Sequence, residues 1–157
     1  MVRGMQQLRR GFSLIELVIV IVIIGIIAAI AIPRMSRGAE GAAESSLKAN
    51  LAVLRNAIDL YTTEHEGTRP TASGFVAEMT TFTNLAGGTS ATKTTTHIYG
   101  PYLREIPEMP VKGQGTKSST VAASAGAGVG WVYNETTGTI TANSAVLGSD
   151  GTAYNTW

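Results

Sequence analysis

From Phe12 to Ile32 the sequence reads FSLIELVIVIVIIGIIAAIAI, apolar at nearly every position, and Pro33 closes the run. Twenty-one residues at about 1.5 Å per helical residue make roughly 31 Å, comparable with the hydrocarbon thickness of a bilayer. The run predicts a membrane-spanning helix over 12–33, free of charge from Leu17 to Ile32 and carrying one acid, Glu16. Past Pro33 comes a polar junction, Arg34-Met35-Ser36-Arg37-Gly38, and then Ala43, Leu47, Leu51, Leu54, Ile58 and Tyr61 recur at spacings of three and four. That period marks one apolar stripe on an otherwise polar helix. This amphipathic half covers 34–67, ending near Gly67, with Pro70 preventing continuation. Arg55 and Asp59 stand four apart on another face and predict a weak surface pair. The chain thus begins with one long helix whose second half needs a cover for its stripe.

The cover falls in 68–157, a loop and sheet region forming a globular head. Gly130-Trp131-Val132-Tyr133-Asn134 and Gly138-Thr139-Ile140-Thr141-Ala142-Asn143, joined by Glu135-Thr136-Thr137, read as a β-hairpin with branched and aromatic arms and a glycine closing its polar connection. Trp131 and Tyr133 alternate to one side, which places them in the core rather than on a ligand platform. Residues 80–96, TTFTNLAGGTSATKTTT, predict a surface loop without a regular element. In Gly100–Pro110 three prolines push Gly100, Ile106 and Met109 towards extended conformations. The fold class expected is α+β, a long N-terminal helix packed on a small antiparallel sheet.

Composition narrows the function. At 157 residues one compact domain is the prior. The net charge of +1 includes Arg3, Arg9 and Arg10 ahead of the apolar run, and without them nine basic side chains face eleven acidic ones, a balance of −2. A near-neutral body argues against nucleic acid as a main partner. There is no cysteine, hence neither a disulfide framework nor a thiolate zinc site. His65 and His97 stand isolated, as ordinary surface or loop histidines do. Ala125–Gly130 is glycine-rich but lacks the lysine and the serine or threonine of a phosphate loop, and no serine sits in a nucleophile elbow. Asn134-Glu135-Thr136 fits the N-glycosylation pattern, a common match that falls on the hairpin turn. No catalytic constellation is expected, and the chain is not expected to be an enzyme.

Glu16 separates the readings of the apolar run. A secretory signal peptide would use Ala29-Ile30-Ala31 for cleavage, but its core would be long and Pro33 would follow the cut. A plain signal anchor gains nothing from a carboxylate, which costs on the order of 2.5–3.5 kcal/mol near the bilayer centre. Arginines before the run and none inside it place the N-terminus in the cytoplasm. A short basic leader ending in Gly11, then Phe12-Ser13-Leu14-Ile15-Glu16 and an unbroken aliphatic helix, resembles the prepilin signal of type IV pilins and type II secretion pseudopilins. The resemblance implies a leader peptide over 1–11, cleavage between Gly11 and Phe12 by a prepilin peptidase, and N-methylation of Phe12. It implies that Glu16 pairs with the terminal amine of a neighbouring subunit. Each charge is costly alone in an apolar bundle, and they offset one another together. A snorkelling carboxylate is the plainer role for Glu16. Related pilins carry a glycine and a proline at places matching Gly25 and Pro33, where the helix loosens on assembly, although Gly25 is equally a packing detail.

The segment beginning Gly100-Pro101-Tyr102-Leu103 resembles that of G-type major pseudopilins. Members of that group often hold calcium in a C-terminal loop near a tryptophan, and Gly148-Ser149-Asp150-Gly151 with Trp157 resembles such an ending. Asp150 is, however, the only acid after Glu135, and calcium takes six to eight oxygens. A calcium ligand and a plain Ser-Asp-Gly turn both stay open for Asp150, and no other cofactor is expected. The function implied is a filament subunit of a type II secretion pseudopilus, pilin-like and ladle-shaped, anchored once in the inner membrane with its head in the periplasm. Its partners would be further copies, other pseudopilins, the prepilin peptidase and the inner-membrane assembly platform. The alternatives are the major subunit of a surface type IV pilus, for adhesion, motility or DNA uptake, and a signal-anchored extracytoplasmic binding or enzymatic domain.

Overall fold

The computed structural model of the chain describes residues 12–157, the side chains of 31–37 excepted. Its elements are α1 (Leu14–Glu64), α2 (Phe75–Thr80), β1 (Phe82–Thr83), β2 (Thr89–Ser90), β3 (Val121–Ala122), β4 (Trp131–Asn134), β5 (Thr139–Ala142) and a 3-10 turn at Tyr154–Thr156. Two compact units divide the chain, one up to Ala39 and one from Glu40 to Trp157.

Within the second unit the apolar stripe of α1 does what its period requires. Leu47, Leu51, Leu54, Ile58 and Tyr61 are buried, and Ala43 packs at their margin. Against them stand Trp131 and Tyr133 from β4 and Ile140 and Ala142 from β5. The strand side chains alternate, since Val132 and Thr141 lie between buried neighbours and are themselves only half-buried. The hairpin register is antiparallel, with Trp131 opposite Ala142 and Tyr133 opposite Ile140. Trp131 is fully buried, and its indole N–H donates to Pro107 O at 2.8 Å, so its one polar atom is satisfied inside the core. The proline segment also contributes Leu103, Ile106 and Met109 to that core.

Helix α1 stops where the chain reverses. Glu66 takes the left-handed conformation, with φ of 54°, and the next residue, Gly67, donates to Thr62 O at 2.8 Å, a bond that closes helices ending this way.

Several expectations are corrected. The sheet is not purely antiparallel, because β3 pairs with β4 in parallel, Val121 beside Trp131. The intervening loop can return in so few residues because β3 is two residues long and Asn143 Nδ2 ties that loop down, donating to Gly126 O and Val129 O at 2.8 Å each. Residues 80–96 hold a short antiparallel pair, Phe82 opposite Ser90, turned by Asn84 Oδ1, which accepts from the backbone of Ala86 and Gly88. Helix α2, absent from the sequence reading, places Phe75 and Met79 in the core.

Gly100 is not extended, with φ of 67°. A Cβ there would meet Thr81 O at 2.9 Å, and the bend lets Tyr102 and Leu103 both donate to Met79 O. His65 is no surface residue. It is 1% exposed, its ring stacks on Tyr61 at 3.8 Å, and its Nδ1 donates to Tyr61 O. Arg55 donates not to Asp59 but to Ile140 O of β5 and to Trp157 O, because these two carbonyls lie within its reach.

Trp131→Ala removes the largest buried side chain and leaves Pro107 O without its donor. The expected loss is about 3–5 kcal/mol of unfolding free energy, measurable by urea denaturation of the full chain in detergent.

Candidate assembly site at the start of the long helix

The first turns of α1 carry a surface unlike that of a folded core. Every large apolar side chain from Phe12 to Ile30 is exposed, from 39% at Val18 to 82% at Leu14. Contiguous apolar surface of this extent marks a place where another molecule or a membrane covers the protein. Among the described residues no helix is long and apolar enough to cross a membrane.

Glu16 sits in the first turn, exposed, and its Oε2 accepts from the backbone N–H of Ser13 at 3.4 Å. Ser13-Leu14-Ile15-Glu16 therefore behaves as half of a capping box, in which an acid three residues into the helix reaches back to the cap N–H. The helix dipole favours a negative charge at this end. The Ser-x-x-Glu spacing was the signal for this role in the sequence, and the reading of Glu16 as a partner for an amine had passed over it. Phe12, the residue expected to bear that amine, immediately precedes Ser13 and is 80% exposed.

Of the other expected site residues, Gly11 and the rest of the 1–11 leader lie outside the described residues, as does the Pro33 side chain. The α1 backbone runs unbroken through position 33. Gly25 lies mid-helix, and a Cβ built there meets nothing within 4 Å. Its lack of a side chain is thus not imposed by packing within one chain.

Asp150 lies far along the sequence, in the loop after β5. Its Oδ1 accepts from Thr152 N at 2.9 Å and Thr152 Oγ1 at 2.7 Å, and these bonds hold its carboxyl below the usual range. Among the described residues no group of three His, Cys, Asp or Glu side chains is placed to hold a metal. The acid that organises this loop is one the sequence reading left unmentioned. Glu44, on the buried stripe of α1, accepts from Ser149 Oγ, from Ser149 N at 2.6 Å and from Tyr154 Oη at 3.0 Å. The available signal was an acid three residues before Leu47, in register with the apolar stripe.

Residues 7–32 match the family model of the prokaryotic N-terminal methylation motif. The chain carries a prepilin-type signal. Such a signal is consistent with membrane anchoring, implies processing by a prepilin peptidase and assembly into a filament, and supports a type IV pilin-like subunit. No curated protein and no solved structure matches the chain.

Two outcomes follow. Gly25→Ala, free of steric conflict, raises the stability of the α1 helix by roughly 0.5–1 kcal/mol, which amide hydrogen exchange across residues 20–30 in detergent reads as slower opening. For Glu44, the hydrogen bonds from the Ser149 hydroxyl and backbone lower its carboxyl below the ordinary value. A group with a depressed folded value stabilises fully above its unfolded value and loses that effect as the pH falls through the folded one. The melting temperature therefore drops on acidification below the ordinary glutamate range, and the drop is smaller in Glu44→Gln.

Proposed function

We propose that the chain is the structural subunit of a type II secretion pseudopilus, cleaved between Gly11 and Phe12, methylated at Phe12 and assembled from an inner-membrane pool with its head in the periplasm. The observation that carries this reading is the methylation motif over 7–32, set on a helix whose apolar side chains from Phe12 to Ile30 are all exposed. In a filament those side chains pack against copies of themselves. The role is mechanical rather than catalytic, and it needs no resident cofactor. The choice of secretion over a surface fibre rests on the Gly100-Pro101-Tyr102-Leu103 segment, which packs Leu103 into the core, and on the loop leading to Trp157.

Glu16 supplies register. In a lone chain its carboxylate holds Ser13 N–H; beside a neighbour it meets the neighbour's N-methylated Phe12 amine. A subunit one step out of place leaves both charges unpaired in apolar surroundings, at a cost of several kcal/mol.

The test has two parts. Mass spectrometry of the protein from cells holding the matching peptidase gives a mature chain beginning at methylated Phe12, and an intact Met1 start points instead to a plain signal anchor. Glu16→Ala then reaches the membrane fraction at the normal level while the sheared-filament fraction falls at least tenfold. An undiminished filament yield would remove Glu16 from assembly.

A further inference from the structure

The loop from Ser144 to Tyr154 resembles, in sequence, an ending that holds calcium, and its oxygens are already occupied by hydrogens. Glu44 takes three, from Ser149 N, Ser149 Oγ and Tyr154 Oη. Asp150 Oδ1 takes two, from Thr152 N and Oγ1. Three of the loop's carbonyls are engaged as well. Gly148 O accepts from Gly151 N at 3.0 Å, Thr152 O from Gly148 N at 2.8 Å, and Val146 O from Tyr154 N at 3.1 Å. Calcium needs six to eight oxygen ligands at about 2.3–2.6 Å. A cation here would have to compete with N–H and O–H donors for the Glu44 carboxylate, for Asp150 Oδ1 and for these carbonyls, and would find Asp150 as the loop's one acid. The donor set does not fit the ion.

We infer that Glu44 takes the organising role in this loop, fastening it to α1 without a metal. The carboxylate comes from the helix, is 92% buried by the fold around it (8% exposed), and spans 105 residues of sequence to reach Ser149. The loop it holds leads to Tyr154 and Trp157, whose rings meet edge to face at 5.0 Å, with Lys48 Nζ 4.5 Å from the Trp157 ring centroid. Glu44 is thus a positioning residue for the closing segment of the head. Its role is independent of the filament reading, since every readout below reports folding of residues 40–157.

The experiment follows the melting of the full chain in detergent by near-ultraviolet circular dichroism, with calcium chloride or with the chelator EGTA. The wild-type midpoint is expected to be the same in both. Asp150→Asn, whose amide oxygen still accepts both Thr152 donors, keeps the same indifference to calcium. Glu44→Gln, which points an amide N–H at donors, lowers the midpoint by about 4 °C or more; should it fail to fold, Ser149→Ala, which deletes one donor, shows a smaller drop. An EGTA-induced fall in the wild-type midpoint, a calcium-dependent rise abolished by Asp150→Asn, or wild-type melting of both Glu44→Gln and Ser149→Ala overturns the inference.

Discussion

The burial of one face of α1 against the β4–β5 hairpin is the constraint on which the rest of the second unit depends. An amphipathic helix is marginal alone, and its stability comes from what covers its stripe. Here the cover is aromatic. Trp131 and Tyr133 bring large apolar area to Leu47, Leu51, Leu54 and Ile58; the Trp131 indole N–H finds Pro107 O, while the Tyr133 hydroxyl is buried without a partner. Everything else is arranged to keep that hairpin in place. Arg69 donates to Thr136 O in the hairpin turn, Glu135 accepts from Ala72 N, and Arg55 holds Ile140 O from the helix side. These polar ties are individually modest, on the order of 1 kcal/mol each, but they act at the edges where the apolar contacts end.

What was legible in the sequence is what periodicity encodes. The stripe from Leu47 to Tyr61 and the alternation of Trp131 and Tyr133 are local patterns with a fixed geometric meaning, and they appear where the residues place them. What was not legible depends on partners distant in the chain. His65 looked solitary because nothing near it in sequence shows that Tyr99 and Tyr102 return to enclose it, 5.1 and 6.3 Å from its ring. The bend at Gly100 follows from a carbonyl twenty-one residues earlier, that of Met79. The parallel strand β3 is too short to leave a pattern. Arg55 was assigned to its neighbour on the helix, when the carbonyls of Ile140 and Trp157 lay within its reach.

The start of the chain shows the reverse balance. The methylation motif is written in contiguous residues, so a local reading reaches it, and the match over 7–32 rests on the same residues. The fold of a single chain adds the observation that this stretch is left uncovered. It adds too that Glu16 has a partner of its own, which the comparison with anchors and signal peptides did not anticipate. The contact seen with Ser13 and the one proposed with a neighbour's amine are compatible, because each offers a donor to the same carboxylate.

That tether has a thermodynamic consequence. At 3.4 Å and open to solvent, it is weak enough to be surrendered cheaply, yet it gives one oxygen of the carboxylate a donor in the isolated protomer. Under the assembly proposed above, joining a shaft would exchange this donor for a stronger, charged one.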